Sequence, residues 1–161
     1  MSYTTAMRRT DREVKTVDGI YDILSRCKII RIAMNDDVQP YVVPMNFGLE
    51  RDGNKIIIYF HSAVEGHKTE LLRKDNRVAI EADLYYKVEE TEGGITQRYE
   101  SVMGTGRAEK LTETADKVHG FKVMLGQYSK EEHPIEECKG LSRCDVYRVV
   151  LDTVTGKHNL S

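Results

Sequence analysis

The tetrapeptide Arg51-Asp52-Gly53-Asn54 constrains the fold of this chain more than any other stretch. Aspartate, glycine and asparagine in a row favour the backbone of a tight hairpin turn, and strand-forming residues flank it on both sides. Residues 39–50 and 55–60 are therefore predicted to be antiparallel neighbours. Further strands are predicted at 28–34, 77–86, 96–111 and 145–151, with a turn at Asn35-Asp36-Asp37 and a break at Asp75-Asn76. Gly104 and Gly106 interrupt the 96–111 strand and suggest a bend or bulge.

Helical spacing is confined to three places. Ile20, Ile23, Leu24 and Cys27 form one apolar face, behind an N-cap at Thr16 or Asp18. A short helix is expected over about 66–74, and a longer one after Thr112, a good N-cap, with Ala115, Val118, Phe121, Val123, Met124 and Leu125 as its apolar content. Residues 89–94 read as an acidic loop, 130–140 as a helix broken around Pro134, and 152–161 as a trailing end. Helices do not alternate with strands, which disfavours a parallel, doubly wound sheet. The pattern predicts a mainly β fold with peripheral helices, an antiparallel, closed or nearly closed barrel, in one domain spanning 1–161. Residues 1–12 are expected to form a partly mobile tail.

A formal charge of −2 and a pI near 6.2 give no bulk electrostatic reason to bind nucleic acid or anionic membrane. Apolar runs are strand-length, and the N-terminal residues lack a secretory apolar region, so a cytoplasmic location is expected. Cys27, Cys138 and Cys144 are odd in number and contain no CxxC, which fits a reducing compartment. His133, Cys138 and Cys144 lie close in sequence, but no fourth zinc ligand stands at a recognised spacing, so no metal is expected.

Residues 55–72, KIIIYFHSAVEGHKTELL, carry the functional signal. A buried strand ends in His61-Ser62-Ala63, and a short loop delivers Gly66-His67-Lys68 to the start of a helix. Unpaired amides, a positive helix dipole and a mobile ammonium make a sound phosphate site. The alternative reading of the same spacing is a plain strand–loop–helix link with a solvated surface, since lysines at helix starts are common. His61 could handle protons or be a satisfied polar group at a strand end. Gly104 and Gly106 could admit a cofactor or merely bend the barrel.

Four motifs in order carry a family resemblance over nearly the whole chain. They are Met7-Arg8-Arg9-x-Asp11-Arg12-Glu13, Pro40-Tyr41-Val42-Val43-Pro44-Met45-Asn46-Phe47-Gly48, the FHSAxEGxK run from Phe60 to Lys68, and Arg98-Tyr99-x-Ser101-Val102-Met103-Gly104-x-Gly106. Thr155-Gly156-Lys157-His158 also fits. The chain resembles the pyridoxamine-phosphate-oxidase-like flavoproteins with an FMN-binding split β-barrel of Greek-key-like connection, nearest to their nitroimidazole-resistance-type branch.

The resemblance implies FMN held at a homodimer interface. Pro44, Met45 and Asn46 would lie along the isoalloxazine edge. His61, Ser62 and Ala63 would touch the ring and ribityl chain, and Lys68 would reach the phosphate. Ser101, Val102 and Met103 would approach a flavin from a neighbouring strand or the partner. Relatives often carry arginine where this chain has His67, which implies weaker FMN binding that falls as pH rises. Arg8 and Arg9 are either a solvated tail or a cover for the cofactor region. The implied activity is an FMN-dependent oxidoreductase acting on a small, possibly nitroaromatic, acceptor, with His61 as the catalytic candidate. Two alternatives stand beside it: a flavin binder or sensor without turnover, and a haem-binding relative using His61, His67 or His158.

Overall fold

The computed structural model describes residues 6–160. Its strands are β1 (Glu13–Val14), β2 (Ile30–Met34), β3 (Tyr41–Met45), β4 (Gly48–Asp52), β5 (Lys55–Ala63), β6 (Arg77–Thr91), β7 (Gly94–Lys110) and β8 (Cys144–Asn159). The helices are α1 (Val17–Arg26), α2 (His67–Lys74) and α3 (Thr114–Gly126), with 3-10 turns at Thr10–Arg12, Ile135–Glu137 and Lys139–Arg143. Of the N-terminal stretch expected to be a tail, residues 1–5 lie outside the described residues. Thr10–Arg12 lead directly into β1, which pairs with β8. Among the described residues no helix is long and apolar enough to cross a membrane.

All strand pairs are antiparallel, in the order β3-β2-β6-β7-β8-β5-β4. The two ends of that order are consecutive in sequence, because Asn46 and Phe47 alone separate β3 from β4. Three residue steps span at most about 11 Å, so the sheet must curl until its ends meet. No ladder joins β3 to β4, and the barrel is split along that seam.

Inside, Ile30, Ile32, Ile56, Ile58, Phe60, Ile80, Val102 and Val149 are each no more than 2% exposed. Side chains of this kind contribute roughly 1.5–3 kcal/mol each on full burial. Ile23 and Leu24 of α1 and Leu71 and Leu72 of α2 join the same core, α1 against β6–β8 and α2 against β2 and β5. Of the two expected caps of α1, Thr16 takes the position: its hydroxyl accepts a hydrogen bond from the Gly19 amide at 3.1 Å, and Asp18 lies in the first turn.

A smaller core forms outside the barrel, where α3 packs on β4 and β5 through Tyr59, Leu111, Met124 and Val146. The approach is close enough to require glycine. A Cβ on Gly48 would lie 2.5 Å from the Met124 backbone nitrogen. Glu50 fastens the layer, accepting from the Tyr59 hydroxyl at 2.8 Å and from His119 Nε2 at 2.9 Å. Burial and the Glu50 carboxylate push the Tyr59 phenol up to about 12.

The structure corrects several expected boundaries. Residues 39–50 are two strands at opposite ends of the sheet. Their shared apolar character conceals the change of partner at Phe47, which is fully buried and donates its amide to the Tyr128 hydroxyl at 2.9 Å. Strand β5 runs on through Ala63. The 89–94 loop shrinks to a turn at Glu92-Gly93 inside a long β6–β7 hairpin. The last strand continues to Asn159, because β7 supplies it with ladder partners whatever its side chains, and Asn159 itself donates to Thr96 and to the Gln97 carbonyl. Helix α3 starts one residue later than expected: Glu113, not Thr112, is the cap residue, and it makes no side-chain bond. Gly104 and Gly106 serve the bend: the β7–β8 register shifts between Thr105 and Gly106, and Cβ atoms there would strike the carbonyls of Thr153 and Val150 at 2.9 and 2.7 Å.

Candidate functional site

Where β5 hands the chain to α2, Gly66 turns it with φ of 131°, a conformation that strains any L side chain. Beneath the turn, Thr69 Oγ1 donates to the Ala63 carbonyl at 2.9 Å and lies 3.3 Å from Ser62 Oγ. Ser62 and Thr69 are both buried, so this hydroxyl pair braces the turn from inside. No side chain caps α2. The amides of its first turn are left for an outside acceptor, and the helix dipole favours an anion there.

Lys68 reaches from that first turn to the end of β3, with its Nζ 3.2 Å from the Met45 sulfur. A thioether is a weak acceptor and carries no charge to offset an ammonium. Among the described residues no carboxylate lies within ion-pairing distance of Lys68, whereas lysines and arginines elsewhere make twelve such contacts. Burial holds its ammonium below the usual lysine range. The cation is positioned and unneutralised.

His61 points outward from β5, with its ring 5.5 Å from that of Phe121 on α3. Burial, and then the charge of Lys68, lower its pKa from the ordinary histidine value. Met45, His61 and Lys68 thus gather at one end of the seam, with Pro44, Asn46 and Ala63 exposed beside them.

His67, next to Lys68, turns elsewhere. Its Nε2 bonds the Asp36 carboxylate at 2.7 Å, and its ring meets the Tyr41 ring edge-on at 4.9 Å. That bond holds the Asp36 carboxyl below the usual range. Ser101, Val102 and Met103 lie on β7, away from this cluster. Val102 is a core residue, while Met103 is 60% exposed on the outer face. Pairing places Pro44, Arg31, Glu81 and Met103 in one row across β3, β2, β6 and β7. Three strand spacings put Pro44 and Met103 about 14 Å apart.

Three contributors have no signal of their own in the sequence: Asp36, Thr69 and Phe121. Thr69 could have been found from its place in the first turn of a predicted helix. Asp36 meets a histidine 31 residues away, and Phe121 reads as plain helix core.

The family model described as pyridoxamine 5'-phosphate oxidase matches residues 16–158. Among solved structures, a candidate 5-nitroimidazole antibiotic resistance protein from Bacteroides thetaiotaomicron is 29% identical, with a TM-score of 0.81 over 91% of this chain and 86% of that one. An FAD-binding protein from Mesorhizobium loti is 21% identical, with a TM-score of 0.65 over 92% and 97% of the two chains. An FAD- and haem-binding protein from Mycobacterium smegmatis is 15% identical, with a TM-score of 0.73 over 93% and 74%. No curated protein sequence matches.

Proposed function

This chain belongs to the pyridoxamine 5'-phosphate oxidase family, and from that premise we propose that it binds FMN and serves as a flavin-dependent oxidoreductase for a small acceptor. The observation that carries the reading is Lys68: a half-buried cation, without a carboxylate, at the uncapped start of α2. A phosphate would satisfy the ammonium and the first-turn amides together, so the donor set fits the 5'-phosphate of FMN.

Met45 and the exposed backbone of Pro44 and Asn46 would border the flavin ring, and His61 would stand beside it with a neutral imidazole able to give or take one proton. FMN, when bound, supplies the redox chemistry. The protein contributes position, a dry apolar border and His61.

The outer face of β2, β3, β6 and β7 supports a homodimer. A hollow of about 470 Å³ there is lined by Ala33, Val42, Ala79, Met103, Thr105 and Thr153 together with the Arg31–Glu81 ion pair, and Val42 and Met103 are 55% and 60% exposed. A second copy on this face would cover that apolar surface and could bring its Ser101–Met103 segment to a flavin that the same chain's segment cannot reach.

Purified protein with a flavin spectrum that releases FMN on denaturation is the expected result, and turnover of reduced nicotinamide with a nitro compound separates an enzyme from a flavin binder. A colourless protein that does not take up FMN would refute the reading. Of the three histidines of the haem alternative, His67 has its Nε2 engaged by Asp36 and His158 has its Nδ1 buried, which leaves His61 as its candidate ligand; a Soret band in the purified protein would support that alternative.

A further inference from the structure

Helix α2 borders a second polar region, away from Lys68. Thr69, Leu72 and Arg73 share one side of the helix, being three and four residues apart, and they line a groove of about 530 Å³ between α2 and the end of β7. Arg107 and Lys110 of β7 and Lys74 at the end of α2 add three more cations to its lining. Thr69, Leu72 and Tyr147 of β8 are buried and form its floor, whereas the four cations are exposed.

The carboxylates around the groove are already engaged. Asp75 accepts from Arg77 at 2.6 Å, Glu109 accepts from Arg148 at 2.7 Å, and the buried Asp145 meets Lys110 at 2.8 Å. Arg73, Lys74 and Arg107 contact no carboxylate among the described residues. Arg107 donates instead to the Asn76 side-chain oxygen at 3.1 Å. The C-terminal dipole of α2 amounts to about half a negative charge, which the two cations of its last turn more than offset. The groove thus carries an excess of positive charge contributed by two separate elements.

A volume of 530 Å³ falls within the range of small-molecule sites, roughly 300–1,000 Å³, and inorganic phosphate alone would leave most of it unfilled. Two guanidinium groups favour phosphate, whose oxygens match their paired donors. The net charge of −2 argues against a track for nucleic acid. We propose that this groove binds a small organic phosphate with two or more negative charges, held by Arg73, Lys74 and Arg107. The eight residues of α2 span about 12 Å, so the site stands apart from Lys68 at the start of the helix and does not rest on the flavin reading.

The test titrates flavin-free full-length protein calorimetrically with ADP, inorganic pyrophosphate and adenosine. ADP should bind more tightly than about 1 mM, pyrophosphate should compete with it, and adenosine should give no signal. Arg73→Gln combined with Lys74→Gln, both at exposed positions, should weaken ADP by about tenfold or more, the scale of one lost hydrogen bond to a charged group, at an unchanged urea midpoint. Lys15→Gln combined with Lys55→Gln removes the same charge from exposed positions elsewhere and should leave ADP affinity as it was. Lys68→Ala should likewise keep ADP. Absence of ADP binding in the wild type would overturn the proposal, as would adenosine binding as tightly as ADP or equal ADP affinity in the Arg73/Lys74 variant. Loss of ADP in Lys68→Ala would place the phosphate at the start of α2 instead, and oligothymidylate bound where ADP is not would make the groove a nucleic-acid contact; either refutes the assignment. ADP binding retained in a protein that takes up no FMN would support the groove and refute the flavin reading separately.

Discussion

Lys68 Nζ stands 3.2 Å from the sulfur of Met45, so the first turn of α2 touches the end of β3 across the open seam of the barrel. That contact sets a cation at the seam without neutralising it. Lys68→Ala should weaken FMN binding by about 1.5–3 kcal/mol, the scale of a hydrogen bond to a charged group, and leave unfolding by urea unchanged. Titration of flavin-free protein measures it; equal affinity would move the phosphate elsewhere.

Gly66 tests the same turn through backbone strain. Nothing lies within 4 Å of a Cβ built there, so space is not the obstacle, but its φ of 131° is. Gly66→Ala should cost about 1–3 kcal/mol of stability or shift the turn, and FMN affinity should fall with it. Wild-type stability and affinity in this variant would mean the turn is softer than its dihedral implies.

Gly48 is the opposite case. Its missing Cβ would meet backbone atoms of Val123 and Met124 at 2.5–2.8 Å, which cannot rotate aside. Gly48→Ala should therefore destabilise the protein by at least about 2 kcal/mol, as overpacking against rigid atoms does. Gly126→Ala, at an open position near the end of α3, is the control and should be neutral or slightly stabilising. A urea denaturation midpoint for Gly48→Ala equal to that of the control would contradict the packing.

His61 makes stability depend on pH. Its pKa in the folded state is depressed, so between that value and about 6.5 the unfolded chain binds the extra proton. Stability should be fully present above that window and fall as pH drops through it. His61→Asn should lack this portion of the acid sensitivity. Urea midpoints from mildly acidic to neutral pH, compared for the two proteins, measure it; parallel profiles would show that His61 protonates freely in the fold.

The three thiols should separate by reactivity. Cys27 is 1% exposed, and burial pushes its pKa up to about 11. Cys144 is partly covered and raised by burial, while Cys138 is exposed. Alkylation of the native protein should run Cys138 first, then Cys144, with Cys27 protected until urea unfolds the chain. Early labelling of Cys27 on peptide mapping would show that α1 opens locally.

The sequence by itself determined the antiparallel class, the hairpin that turns at Gly53-Asn54, a helix α1 capped at Thr16 or Asp18, and the strand–glycine–lysine–helix order that makes Lys68 a phosphate candidate. Each rests on side-chain period or on turn and cap chemistry, which act within a few residues. Tertiary structure alone decided which edges meet. It split residues 39–50 at Phe47, carried β8 through a polar stretch to Asn159, turned His67 to Asp36 and placed Phe121 beside His61. Those outcomes follow from closing a curled sheet and docking a helix on it, and they join residues whose local surroundings in the chain hold no trace of the partner.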